Sequence, residues 1–128
     1  MTDKAPASFL AFLFSLLDEA SAGLPHVTHK RLFSCDALWA NDNIYALVWK
    51  TGRLGLKIPD AALFAELMAM PGAEPWMPGE GHAMGHWVLL PETFHDDKDL
   101  LTEWTRRAHG LADAAPAAPK KSAKKKKA

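Results

Sequence analysis

"ALWANDNIYALVWKTGRLGLKIP", Ala37 to Pro59, decides the fold. Positions 37–42, 43–50 and 53–59 are short runs rich in aromatic and branched residues, the composition of half-buried strands. Between them, "NDN" at 41–43 and "KTGR" at 50–53 supply the Asn, Asp and Gly that tight hairpin turns need, because these residues tolerate positive φ. Strands joined by such turns run antiparallel, so the stretch predicts a meander. Just upstream, "VTHKRLFS" at 27–34 reads as another, weaker strand.

Working outward, the period changes on both sides. Pro6 suits a first helical turn, and Phe9, Leu13, Leu16, Leu17 and Ala20 follow at helical spacing until Gly23 and Pro25, predicting a helix over roughly 6–22. Downstream, Asp60 is placed to cap "AALFAELMAM", whose apolar stripe is Leu63, Phe64, Leu67 and Met68. "PGAEPWMPGEG" at 71–81 is too rich in Pro and Gly for regular structure and reads as a loop or an edge segment, and "HAMGHWVLL" at 82–90 resumes as a strand stopped by Pro91. Asp96 or Asp97 then caps "KDLLTEWTRRAHGL", with Leu100, Leu101, Trp104 and Ala108 as the buried face and Arg106, Arg107 and His109 expected at the dipole-favoured end. This order predicts an α+β domain with a single, mainly antiparallel sheet flanked by helices.

The chain has equal numbers of basic and acidic residues, but they are divided unequally. Residues 1–115 carry nine Lys or Arg against fifteen acids, and 116–128, "PAAPKKSAKKKKA", carry six Lys and no acid. A block of like charges repels itself and has no apolar area to offset the entropy of ordering, so 1–113 reads as one folded domain and 114–128 as a disordered basic tail. Cys35 is the sole cysteine, which excludes a disulfide framework and a thiolate metal cage and fits a reducing cytoplasm. "FLAFLFSLL" at 9–17, followed by "ASA" at 20–22, has the outline of a secretory signal. Asp3 beside Lys4, and Asp18 and Glu19 ahead of the supposed cleavage site, argue against it. A nine-residue run is also too short to span a bilayer.

No catalytic or metal constellation is expected. His82 and His86 have the spacing of a helical zinc pair, but Gly79, Gly81 and Gly85 oppose a helix there. On a strand the two imidazoles would stand about 13 Å apart. His26 and His29 fall on opposite strand faces. Cys35 reads as a small buried hydrophobe, and Asp96, Asp97 and Asp99 as helix-start residues. "TGRLG" lacks the spacing of a phosphate loop. Of the five tryptophans, Trp39, Trp49, Trp87 and Trp104 lie on predicted elements and read as core. Trp76, in the Pro- and Gly-rich segment, is either a lid or exposed, and is the candidate partner contact in the body.

"RLFSCDALWANDNIYALVWKTGRLGLKIP" at 31–59, "GAEPWMPGEGHAMGHWVLLPE" at 72–92 and "DLLTEWTRRA" at 99–108 together resemble the TfoX N-terminal domain family, in order and over about 80 residues. Phe33, Leu38 and Trp39, Ala46 to Val48, Arg53 to Lys57, Gly72 to Trp76 and Trp104 to Ala108 carry the resemblance, while Ser34 and Cys35 stand where the family has Gly-Gly. The resemblance implies an α-β(3)-α-β(2)-α arrangement similar to secretion chaperones, with the second late strand at 74–77. It also implies a regulatory, non-catalytic role associated with competence and transcription.

The expectation is a cytoplasmic, non-enzymatic module, monomer or homodimer, without cofactor or membrane contact. It would act through a protein partner, while Lys120, Lys121, Lys124, Lys125, Lys126 and Lys127 hold DNA or RNA without reading sequence. The alternative is a small chaperone-like adaptor whose tail only solubilises it.

Overall fold

A computed structural model describes residues 5–32, 35–77 and 85–115. The tail lysines, Phe33, Ser34 and His82 lie outside the described residues. The elements are α1 (Ala7–Ala20), β1 (Val27–Leu32), β2 (Cys35–Ala40), β3 (Asn43–Trp49), β4 (Arg53–Lys57), α2 (Ala61–Met68), β5 (Glu74–Pro75), β6 (Trp87–Leu89), a single-turn 3-10 helix (Glu92–His95) and α3 (Lys98–Ala114). The six strands form one antiparallel sheet in the order β1-β2-β3-β4-β6-β5. This is the α+β architecture that the residue pattern indicates. Four strands precede α2, one more than the resemblance implies, and β1 is exposed along most of its length at the sheet edge. The second late strand is β5, paired to β6 at Glu74↔Leu89 and Pro75↔Val88.

Local chemistry explains the joints. Asn41 and Asp42 have φ of 51° and 66°, both left-handed, which closes the two-residue β2–β3 hairpin; Gly52, at φ 91°, turns β3 into β4. Asp60 accepts the Leu63 N–H at 2.9 Å and Asp97 the Leu100 N–H at 3.1 Å, so both caps are made and Asp97 is the one at α3. Cys35 opens β2, paired with Leu32.

Two apolar clusters sandwich the sheet. On one face Leu13 and Leu17 of α1, Leu67 of α2, and Leu101, Trp104 and Ala108 of α3 bury against Leu38, Ala46, Val48, Leu54, Leu56 and Val88. Each fully buried Leu contributes about 1.5–3 kcal/mol relative to exposure. A register shift lets β2 skip a residue of β3: Leu38 pairs with Ala46 and Trp39 with Ile44. Tyr45 therefore joins Ala46 on the helix side instead of alternating away. There its hydroxyl lies 2.7 Å from Ser21 Oγ and its ring is edge-on to His109.

Among the described residues the apolar cluster on the opposite face draws no residue from any helix. Cys35, Ala37, Leu47, Trp49, Trp76, Trp87 and Leu89 form it. A row of paired residues, Ala37, Leu47, Gly55, Leu89 and Glu74, crosses five strands. At Gly55 a Cβ would sit 3.2 Å from Leu47 Cδ1, so the absent side chain is what lets its neighbours close the row.

One expectation is corrected. α3 continues to Ala114, so Arg106, Arg107 and His109 are not in its last turn, which holds no basic residue. Arg106 and His109 make tertiary contacts instead, donating to the Ala22 carbonyl at 2.9 Å and, through Nε2, to the Pro25 carbonyl at 2.8 Å, while Arg107 pairs within α3 with Glu103 at 2.6 Å. The end of α3 is held by the β2–β3 turn, where Asn43 Nδ2 donates to the Ala112 carbonyl at 3.0 Å and Asn41 Nδ2 to that of Ala115 at 3.4 Å.

Candidate interaction surface

The residues weighed for chemistry do not converge. His29 stacks on Phe14 of α1, with ring centroids 4.4 Å apart, on the helix side of the sheet, whereas Cys35 belongs to the cluster on the other face. His29 Nε2 and Arg31 Nη1 both reach Asp36, at 3.0 and 3.2 Å, forming an exposed ion cluster on the β1–β2 hairpin. Burial pushes the Cys35 thiol above its ordinary value, which opposes thiolate formation despite Arg31 and Lys50 nearby. His86 is exposed and lies edge-on to Phe64 of α2. Among the described residues no three His, Cys, Asp or Glu side chains are grouped to hold a metal, and no helix is long and apolar enough to cross a membrane.

Trp76 packs as a lid. It is 0% exposed, and its ring meets Trp49 at 5.3 Å and Trp87 at 5.0 Å, both in edge-to-face geometry. In this arrangement it presents no surface to a partner. The half-buried Trp39 carries the Lys30 ammonium 4.6 Å above its ring.

The acid excess is segregated. The helices and their caps carry Asp18, Glu19, Asp60, Glu66, Glu92, Asp96, Asp97, Asp99, Glu103 and Asp113 against Lys98, Arg106 and Arg107. The strands and their turns carry Lys30, Arg31, Lys50, Arg53 and Lys57 against Asp36, Asp42 and Glu74. The helical side is thus strongly negative and the sheet side slightly positive, a polarity that the summed charge conceals.

A groove of about 610 Å³ runs along this negative side. One wall is a single stripe of α1, Phe12, Ser15, Leu16 and Glu19, at the i, i+3, i+4, i+7 spacing that puts residues on one helix face. The other wall is His95 through Asp99, where the 3-10 helix passes into α3. At one end Phe9 stacks on Phe12 with centroids 6.2 Å apart and meets His95 edge-on at 5.8 Å; at the other, Lys98 and Glu19 pair across the gap at 3.4 Å. Phe9 and Phe12 are 36% and 47% exposed, the largest apolar rings open to solvent on the described surface.

Burial disfavours the charged form of His95. Burial lowers its pKa from the ordinary 6.5; Arg53 lowers it further, and Glu92 and Asp96 oppose the shift. Its Nε2 is buried without a hydrogen-bond partner among the described residues, so a proton there would go unsatisfied. The unfolded chain therefore binds this proton more readily than the folded one between the depressed value and 6.5. The stabilising contribution is intact above pH about 6.5 and is lost as pH falls through that window. In urea denaturation at pH 7.5 and 5.5 the wild-type midpoint should drop further than that of His95→Gln. Equal drops would mean that His95 titrates as it does in the unfolded chain.

No residue of the groove was singled out by sequence reasoning as a contact. Phe12 and Asp96 are far apart in the chain, and the only local signal was Phe12, which lies off the apolar stripe to which the spacing assigns Phe9. Compared with known proteins, the chain has no match among curated proteins. Residues 19–112, from the last turn of α1 through the sheet and α2 to near the end of α3, match the family model of the TfoX N-terminal domain. The match leaves Phe9, Phe12 and Leu16 upstream of it and takes in Asp96 to Asp99. With most of its length and every strand inside that match, this chain belongs to the TfoX N-terminal domain family.

Proposed function

We propose that this protein is a non-enzymatic regulatory module that works in the cytoplasm through protein contacts, in the competence- and transcription-associated manner its family suggests. Family membership over residues 19–112 is the observation that carries this reading. The basic tail adds attachment to a polyanion. Its six lysines offer charge without aromatic residues for stacking, so the attachment is to the phosphate backbone and does not select sequence.

The acidic helical side repels nucleic acid, which keeps the attachment weak. A gel-shift titration over salt, run on the full chain and on a chain lacking 116–128, tests the assignment. The full chain should bind DNA weakly, with a log–log salt slope no steeper than about −5 for six phosphate contacts, and the shortened chain should lose that binding. Equal affinity of the two chains would refute the tail as the binding element. The exposed Phe9 and Phe12 also support the adaptor reading, in which the tail is only solubilising. A stoichiometric protein partner retained at equal affinity after tail deletion, with no DNA binding by either chain, would favour it.

A further inference from the structure

We propose that the groove between α1 and the start of α3 is a docking site for a basic amphipathic helix of a protein partner. The inference rests on the reading of this protein as a module that acts through protein contacts, and adds the surface and the chemistry of the partner.

The walls specify the occupant. Phe12 and Leu16 offer an apolar seat, while Asp96 and Asp99 stand opposite with no ion pair among the described residues. Asp97 is occupied in capping α3 and Glu19 in pairing with Lys98, which leaves Asp96 and Asp99 as the carboxylates open to an incoming cation. An apolar side chain over Phe12, with Lys or Arg one turn away on the same helix, meets both walls at once. The α1 wall is helical throughout, so its backbone groups are paired within the helix, and the wall opposite is a turn and a helix start with no strand edge, so neither offers a ladder to an extended peptide. A helical ligand satisfies its own backbone hydrogen bonds.

Charge excludes the nearer alternatives. A second copy seated face to face would bring one acidic rim against another, since a two-fold contact places the same patch on both sides. The chain's own tail has the right charge, but its only apolar residues between 116 and 128 are Pro and Ala, too small to cover Phe9 and Phe12.

The test is a titration of the isotopically labelled full chain with a synthetic 14-residue peptide that carries Leu at positions 4, 7, 8 and 11 and Lys and Ala elsewhere, about the length of α1. Amide signals of 9–19 and 95–99 should shift together. The double substitution Asp96→Asn/Asp99→Asn and, separately, Phe12→Ser should each weaken binding about tenfold, the scale of one well-placed contact. Phe12, Asp96 and Asp99 are exposed, and dispersed amide spectra will verify that both variants are folded. A control peptide with Ser in place of Leu and the same charge should bind at least about tenfold more weakly. If the Ser peptide binds as tightly, if the shifts fall on the sheet instead, or if no peptide binds at millimolar concentration, the proposal is overturned. None of these results touches the tail's gel shift or a partner that docks on another face, so the broader reading stands or falls separately.

Discussion

Trp76→Ala should lower the stability of the domain by about 3–5 kcal/mol, the usual cost of removing a large aromatic from a packed interior. Domains of this size are stable by about 5–15 kcal/mol in all, so the loss is a sizeable fraction of the total. The size of the effect follows from where the ring sits. The face of the sheet away from the helices has no helical layer, and Trp76 is 0% exposed there, wedged edge-on against Trp49 and Trp87. Truncation leaves a cavity beside Leu47 and Leu89 in the same cluster. Trp76→Phe keeps a ring in the slot and should cost less than half as much. Urea denaturation followed by far-UV circular dichroism measures both, and a loss below about 1 kcal/mol for Trp76→Ala would show that the segment before residue 77 contributes little to that face.

The same tryptophan shows where sequence reading stops. Strands β2, β3 and β4, the cap Asp60 and, down to a choice between Asp96 and Asp97, the cap of α3 were legible because each is decided within a few residues: apolar runs, an Asn-Asp turn, a carboxylate three residues before a free N–H. β5 was legible from its residues only as a loop or an edge segment, since Glu74 and Pro75 form a two-residue strand only because β6 returns beside β4 and leaves an edge to pair with. The bulge at Tyr45 was equally hidden, because strict alternation would put Tyr45 and Leu47 on one face and the skipped pairing between β2 and β3 separates them. The acid excess of the body could be counted in the chain, but its confinement to the helical side depends on which elements share a layer. The groove is less legible still. It exists because α1 and the start of α3, from opposite ends of the domain, pack side by side, and no local pattern around Phe12 or Asp96 anticipates that neighbour.

Arg53→Ala should cost about 2–4 kcal/mol, although its carboxylate partner is largely solvated. The guanidinium is only 14% exposed and acts mainly on backbone: Nε and Nη2 donate to the Leu90 carbonyl at 3.1 and 2.9 Å, Nη2 donates to that of Gly72 at 2.9 Å, and Nη1 reaches Glu74 Oε1 at 3.0 Å. One side chain on β4 thereby ties the exit of β6 to the segment that leads into β5. A charged donor contributes about 1.5–3 kcal/mol per hydrogen bond, and truncation leaves carbonyls without that donor, which sets the estimate. Glu74→Ala should cost under about 1 kcal/mol, because at 59% exposure its half of the ion pair is screened by water. Arg53→Lys should recover less than half of the loss, since an ammonium cannot reproduce the planar fork that serves two carbonyls and a carboxylate. The expected order of destabilisation is therefore Arg53→Ala, then Arg53→Lys, then Glu74→Ala. Arg53 and Trp76 also hold the same short segment, between Gly72 and Trp76, onto the sheet. Once either is removed the segment is partly released and the other has less to hold, so the double variant Arg53→Ala/Trp76→Ala should lose less than the sum of the single losses, by about 0.5–3 kcal/mol. Strict additivity in a denaturation cycle would show that the two residues act on independent parts of the fold.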